Sequence, residues 1–174
     1  MEILHGAELE TPLGHLRVVS SARGLVYVDL PNANGRGLAG WMKVHAPDAR
    51  LIEGWAPNRA AAQQLLEFTR GKRRTFDLSL DLRGTPFQES VYRAVAEIPF
   101  GEKATYSQIA ERIGNPKANR AVGAANSVNP LPLVIPCHRV VGSSGKLQGY
   151  AGGLTMKARL LALEAAAPRE GWLL

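Results

Sequence analysis

Thr105-Tyr106-Ser107-Gln108-Ile109-Ala110-Glu111-Arg112-Ile113-Gly114-Asn115-Pro116-Lys117-Ala118-Asn119-Arg120-Ala121-Val122-Gly123-Ala124-Ala125-Asn126 reads as two short helices joined by a tight turn. Thr105 with Gln108 three residues on is a capping box, in which each side chain satisfies a backbone N–H that the first helical turn leaves free. Gly114 supplies a stop, and Asn115-Pro116 begins the next helix at once, reaching about Asn126. The pair is a helix-turn-helix pattern. Its second helix is built of small residues with one arginine, Arg120, near the start. Small side chains let a helix backbone approach a surface closely. That surface is either the rest of the protein or a nucleic-acid groove, and the helix alone supports both readings.

Upstream, Thr85-Pro86-Phe87-Gln88 repeats the capping box with proline at the first helical position, predicting a helix to about Ile98 that stops before Pro99. Arg83-Gly84 ahead of it is a plausible boundary. In residues 1–84, two turn signals, Thr11-Pro12-Leu13-Gly14 and Ser20-Ser21-Ala22-Arg23-Gly24, divide Met1 to Leu30 into three strand-like segments, an antiparallel meander. Pro31 to Gly40 reads as loop. Asn58 to Arg70 carries a helical apolar face (Ala61, Leu65, Leu66, Phe68) closed by Gly71. The run Lys72-Arg73-Arg74 reads as a charged loop in preference to a phosphate contact. Phe76, Leu78, Leu80 and Leu82 alternate with polar residues, the pattern of a half-buried strand.

Downstream, the apolar run Leu131 to Ile135 reads as a buried strand that delivers Pro136-Cys137-His138-Arg139-Val140-Val141 to a glycine-rich loop, Gly142 to Gly153. Thr155 to Ala166 is a helix with Glu164 near its end, and Pro168 to Leu174 is a frayed tail. Cys137 is the one cysteine in 174 residues. An internal disulfide and a multi-cysteine zinc site are therefore excluded, and a reducing, cytoplasmic compartment suits the lone thiol. No signal-peptide pattern or bilayer-spanning apolar run is present. The net charge of +6 suggests a polyanionic partner, and it leans to the second half: residues 1–84 carry 11 Lys+Arg against 9 Asp+Glu, residues 85–174 carry 10 against 6.

A free thiol is a few per cent ionised at neutral pH, so a nucleophilic Cys137 needs a base or a positive surrounding. His138 is adjacent, but neighbours in a strand point to opposite faces, so contact demands a bend or a bridging water. Glu164 is the downstream acid suited to orient the imidazole. On the residues alone, a buried structural cysteine is the better-supported reading, and a cysteine hydrolase stays open beside a nucleophile of another kind.

Pro136-Cys137-His138-Arg139-Val140, Thr105-Tyr106-Ser107-Gln108-Ile109-Ala110, Gly114-Asn115-Pro116-Lys117-Ala118, Arg120-Ala121-Val122-Gly123, Asn129-Pro130 and Gly149-Tyr150-Ala151-Gly152-Gly153-Leu154 together resemble, in order, the O6-alkylguanine-DNA alkyltransferases. The likeness covers residues 85–166; residues 1–84 fit the family's variable N-terminal domain in pattern only. It implies an α/β N-terminal domain over 1–84, an antiparallel sheet with a helix of ribonuclease H-like type. It also implies a mainly helical C-terminal domain over 85–174, with a winged-helix-like helix-turn-helix. The implied activity is direct-reversal repair: one irreversible transfer of an alkyl group from O6-alkylguanine, and from O4-alkylthymine, to Cys137 after the nucleotide is flipped from duplex DNA.

The resemblance also implies roles. His138 would activate Cys137 through a water, held by Glu164, and Asn129 would brace the turn before the cysteine. Tyr106 would press on the 3′ phosphate and offer a proton to the purine. Arg120 would fill the vacated stack, with Lys117, Ala121, Gly123, Asn115 and Tyr106 along the DNA in the minor groove. Pro132, Val140, Tyr150, Ala151, Gly152 and Lys157 would line the base pocket, the carbonyls of Cys137 and Val140 taking the guanine amino group. Ala151 stands where some relatives carry a serine hydroxyl. No cofactor and no metal are expected, no membrane partner, and a monomer. A non-transferring lesion sensor or helix-turn-helix regulator is the alternative.

Overall fold

The computed structural model describes residues 1–31, 37–150 and 152–167. The expectations for Ala151, for the tail Pro168 to Leu174 and for part of the Pro31–Gly40 loop lie outside these residues.

The meander forms as expected: β1 (Ile3–Thr11), β2 (Gly14–Ser21) and β3 (Gly24–Asp29) pair antiparallel. At the first hairpin the Thr11 hydroxyl donates to the Gly14 carbonyl at 2.7 Å and accepts from the Leu13 amide at 3.1 Å, which closes the two-residue turn. The sheet is mixed, however. A short strand, β4 (Arg50–Glu53), joins β1 in parallel and gives the order β3-β2-β1-β4. Four residues are too few for a period-2 signal, so tertiary pairing decides that strand. A helix, α1 (Gly37–His45), begins inside the stretch read as loop and buries Trp41. Helix α2 (Arg59–Thr69), entered through a 3-10 turn at Ala56–Asn58, matches its prediction.

Strand alternation sends side chains to two cores. Leu4, Val19 and Val26 pack with Trp41 and Ala46 on the α1 side. Leu16, Val18, Leu25 and Val28 pack with Leu65 and Phe68 of α2 and, in the same continuous cluster, with Val91, Ile109, Leu131 and Leu160 from the second half. One core thus runs through both halves of the chain.

The alternating run Phe76 to Leu82 does not become a strand. It meets β3 through a single bridge, with Leu25 N donating to Ser79 O and Asp81 N to Leu25 O, each at 2.9 Å. The free edge of β3 is divided: farther along, Val28 N donates to Pro130 O at 2.9 Å, so no one segment can extend a ladder. Phe76, Leu78 and Leu82 still pack against the core, which satisfies the alternation without a sheet. Gly24 stands where this crossing is tightest; a Cβ there would collide with the Ser79 carbonyl.

The second half holds α3 (Pro86–Ala96), α4 (Tyr106–Arg112), α5 (Asn119–Ser127) and α6 (Leu154–Ala166), with a small parallel pair β5 (Ala104–Thr105) and β6 (Val140–Val141). Both capping boxes are present with their reciprocal bonds: Gln88 N to Thr85 Oγ1 and Gln108 N to Thr105 Oγ1, each at 3.1 Å, answered by Thr85 N to Gln88 Oε1 at 3.0 Å and Thr105 N to Gln108 Oε1 at 2.8 Å. Gly114 ends α4 in the left-handed conformation (φ 76°), and Asn115 N donates to Ala110 O at 3.0 Å. The next helix starts at Asn119, later than Asn115-Pro116 suggested, because residues 115–118 form a turn closed by Ala118 N to Asn115 O.

Candidate active site

The thiol is delivered by a turn, not by the expected strand. Pro130, Pro132 and Pro136 leave 130–136 short of ladder donors, and the segment folds on itself: Ile135 N donates to Leu131 O at 2.8 Å, with Leu133 in the left-handed region at φ 73°. Asn129 holds it, donating from Nδ2 to Ile135 O at 2.9 Å and accepting from Leu131 N at 3.0 Å. Cys137–Arg139 then form one 3-10 turn before β6. The strand objection to a cysteine–histidine pairing, neighbours on opposite faces, therefore does not apply.

Behind the thiol lies a buried charged set. His138 Nε2 donates to Glu164 Oε2 at 2.5 Å; Arg139 donates from Nε to Glu164 Oε1 at 2.9 Å and from Nη2 to Oε2 at 3.1 Å; Gly101 N donates to Oε1 at 2.9 Å. Arg139 Nη1 also reaches Ile98 O at 2.7 Å. Burial alone would raise the Glu164 carboxyl, but the bonds from His138 and Arg139 outweigh it and hold it at about 2. Burial depresses His138 below its ordinary value, against the opposing pull of the Glu164 carboxylate. With Nε2–H committed to the carboxylate, Nδ1 is the basic atom, and it has no protein hydrogen-bond partner among the described residues.

Cys137 is 1% exposed. Burial pushes its thiol up to about 11, while the Asn129 side chain and the Lys157 ammonium pull the other way. Little of such a thiol is ionised at pH 7, so the site has to favour the thiolate during reaction. Lys157, fully buried, is itself lowered by burial to about 8, and donates to the Gln148 carbonyl at 2.6 Å. Tyr106 donates to the same carbonyl at 2.9 Å, with Lys157 Nζ 5.8 Å from its ring centre. Burial, and then the nearby Cys137, raise the Tyr106 phenol. Tyr150 is buried, and Gly152 packs so tightly that a Cβ would meet the Tyr150 and Leu30 side chains. These contacts hold Gln148, Tyr150 and Gly152 of the glycine-rich loop in place beside Tyr106 and Lys157.

The expected pocket residues Tyr150, Val140 and Lys157 are buried around Cys137, and Pro132 is buried in the turn ahead of it, also lining a cavity of about 510 Å³ toward β3 and α1. Arg120, Ala121, Lys117 and Asn115 are solvent-exposed along the turn and outer face of α5, whereas Gly123 is half-buried toward Tyr106. Arg73 and Arg74 depart from a freely solvated loop: Arg73 pairs with Glu67 at 3.0 Å, and Arg74 lies 5.2 Å over the Phe100 ring. Residue-level reading missed Asn126, which is buried and donates to the Cys137 carbonyl at 3.2 Å; it also missed Arg139 and the Gln148 carbonyl. The Val140 amide also donates to the Cys137 carbonyl, so both of its lone pairs are engaged in this structure. A polar residue closing a helix of small residues was the only hint of Asn126.

The family model for the DNA-binding domain of 6-O-methylguanine DNA methyltransferase matches residues 86–166. The methylated-DNA–protein-cysteine methyltransferase of Methanosarcina acetivorans is 42% identical over 167 residues, covering 94% of this chain and 99% of the relative. This chain belongs to that family. Among the methyltransferases, the inducible protein of Bacillus subtilis is 40% identical over 153 residues, with 88% of this chain and 86% of the relative covered. The crystal structure of Mycobacterium tuberculosis OGT in complex with DNA superposes with a TM-score of 0.81 at 38% identity, covering 94% of this chain and 95% of that one. The methyltransferase fold of an α/β sheet part joined to a helical part is thus shared along nearly the whole chain.

Proposed function

We propose that this chain repairs alkylated DNA directly, taking the alkyl group from O6-alkylguanine onto Cys137 in a single, irreversible turnover. The observation that carries the reading is the Cys137–His138–Glu164 set, enclosed behind a helix-turn-helix, in a chain of the methylated-DNA–protein-cysteine methyltransferase family. The proton of Cys137 passes to His138 Nδ1 through a water, and the Glu164 carboxylate stabilises the imidazolium that results. The thiolate attacks the alkyl carbon; the S–C bond forms as the C–O6 bond breaks, and the electron pair leaves on the purine. Tyr106 offers the ring a proton to neutralise it. Lys157 beside the thiolate lowers the cost of its charge. O4-alkylthymine, with the same alkoxy-on-ring chemistry, is a second substrate.

The target atom lies inside a duplex, so the nucleotide has to be extruded at a cost of a few kcal/mol, least for a poorly paired damaged base. Arg120, exposed near the start of α5, fills the space left in the stack. The small outer face of α5 lies in the minor groove, where the base code is degenerate, which suits repair in any sequence context. Lys117, Ala121, Gly123 and Asn115 flank the backbone. The 142–153 loop, with Tyr150 and Gly152, opens to admit the base, since the thiol is enclosed. The two parts are read as a ribonuclease H-like domain over 1–84 and a winged-helix-like domain over 85–174, in a cytoplasmic monomer. Among the described residues no helix is long and apolar enough to cross a membrane.

Incubation with duplex DNA holding O6-methylguanine, followed by intact-mass and peptide analysis, tests the reading. One methyl on the Cys137 peptide is expected, lost in Cys137→Ala while DNA binding persists. Tight binding without transfer would instead identify a sensor, and turnover of an ester a hydrolase.

A further inference from the structure

The histidine of the acceptor centre is walled by a residue from the other half of the chain. Phe68, fully buried on α2, places its ring 6.3 Å from that of His138 at an interplanar angle of 55°. The same ring meets Phe100 edge-on at 6.3 Å (88°) and Phe76 at 5.3 Å. Phe100 in turn meets two guanidinium groups, Arg74 at 5.2 Å and Arg139 at 5.6 Å from its centre. Arg139 is the residue that clamps Glu164, which orients His138. Two contacts from residues 59–76 therefore converge on one imidazole: directly through Phe68, and through Arg74, Phe100, Arg139 and Glu164.

We propose that Phe68 is a positioning residue for the alkyl transfer, holding His138 in a dry, fixed orientation so that the N-terminal half completes the acceptor centre. The inference rests on the reading of Cys137 as alkyl acceptor and His138 as its base. The groups around the imidazole are Glu164 and Lys157 from α6, Arg139 and Cys137 from the 3-10 turn, and the uncharged ring of Phe68, with the Gly101 amide fixing Glu164 from behind. Of these Phe68 is the apolar ring in direct contact, and burial is the leading cause that keeps His138 below its ordinary value. Loss of the ring admits water, strengthens the imidazolium against the Glu164 carboxylate, and frees the imidazole to tilt.

The experiment compares Phe68→Leu and Phe68→Ala with Leu65→Ala, an equally buried change on the same helix. It reads His138 titration by NMR, the pH profile of single-turnover methyl transfer, and the melting temperature. Both Phe68 variants are expected to raise the His138 pKa and move the acid limb of the transfer profile upward. Transfer at pH 7 should fall about tenfold, more in Phe68→Ala than in Phe68→Leu. Leu65→Ala is expected to lower the melting temperature alone. If the Phe68 variants lose stability to the same extent as Leu65→Ala, with the titration and the pH profile unmoved, the proposal is overturned. Should Phe68→Ala fail to fold, Phe68→Leu decides. The NMR titration is independent of transfer, so a wild-type protein that moves no methyl group would sink the acceptor reading and leave this contact separately measured.

Discussion

At the scale of single residues, Glu164 carries the greatest load. It is the shared acceptor for His138, Arg139 and Gly101, so Glu164→Gln leaves the Arg139 guanidinium buried without its anion. Breaking a buried pair from one side costs about 3–5 kcal/mol, and denaturant unfolding of Glu164→Gln should show a loss of that order, with transfer slowed as well. The pH dependence of stability has a definite sign. His138 is held below its ordinary value, so below about pH 6.5 the unfolded chain binds more protons than the folded one, and melting temperature should fall with pH. A second loss follows as pH drops from about 4.5 toward 2, where Glu164 finally protonates. In His138→Asn the first of these losses should shrink, and the second should narrow as well, because the Glu164 carboxylate then loses its bond from His138 and keeps those from Arg139. For Arg120→Ala, transfer from duplex should fall well below transfer from a free alkylated base; equal losses would remove its role in flipping.

At the scale of elements, helix α5 is divided between two jobs. Val122 and Ala125 are buried and the Ala125 carbonyl accepts from the Tyr92 hydroxyl at 2.9 Å, while Ala121 and Ala124 face outward. Close packing inward and close approach outward, which the sequence left as alternatives, are thus both available on opposite faces. Ala124→Glu puts a bulky anion on the outer face without touching the core. It should weaken binding to undamaged duplex by about tenfold or more at low salt, with the difference narrowing as salt is added, and leave the melting temperature nearly unchanged. Equal binding by the variant would show that this face does not meet DNA.

At the scale of the molecule, one core joins the sheet to the helices, from Leu16 and Phe68 to Ile109 and Leu160. The proposed division into 1–84 and 85–174 is therefore one of form more than of stability. Heat unfolding should be a single transition, with calorimetric and van't Hoff enthalpies equal; two resolved transitions would show that the halves are independently stable.

The sequence by itself determined what is local. Capping boxes at Thr85 and Thr105, the stop at Gly114 and the two hairpin turns act over three or four residues, and each appeared where the chain predicted it. The motif around Cys137 was equally legible, as a resemblance. Tertiary structure decided whatever depends on a distant partner. The alternating run 76–82 lost its strand because the edge of β3 was shared with Pro130, and four residues became β4 only because β1 had a free edge. The apolar run before Cys137 became a turn because its prolines cannot feed a ladder, and the Asn129 side chain satisfies the Ile135 carbonyl and the Leu131 amide instead. The acceptor centre shows the same limit. His138 and Glu164 stand 26 residues apart, and Phe68 enters from the other half of the chain. Burial, which sets the proton affinities of Cys137, His138 and Lys157, exists only once the chain has closed around them.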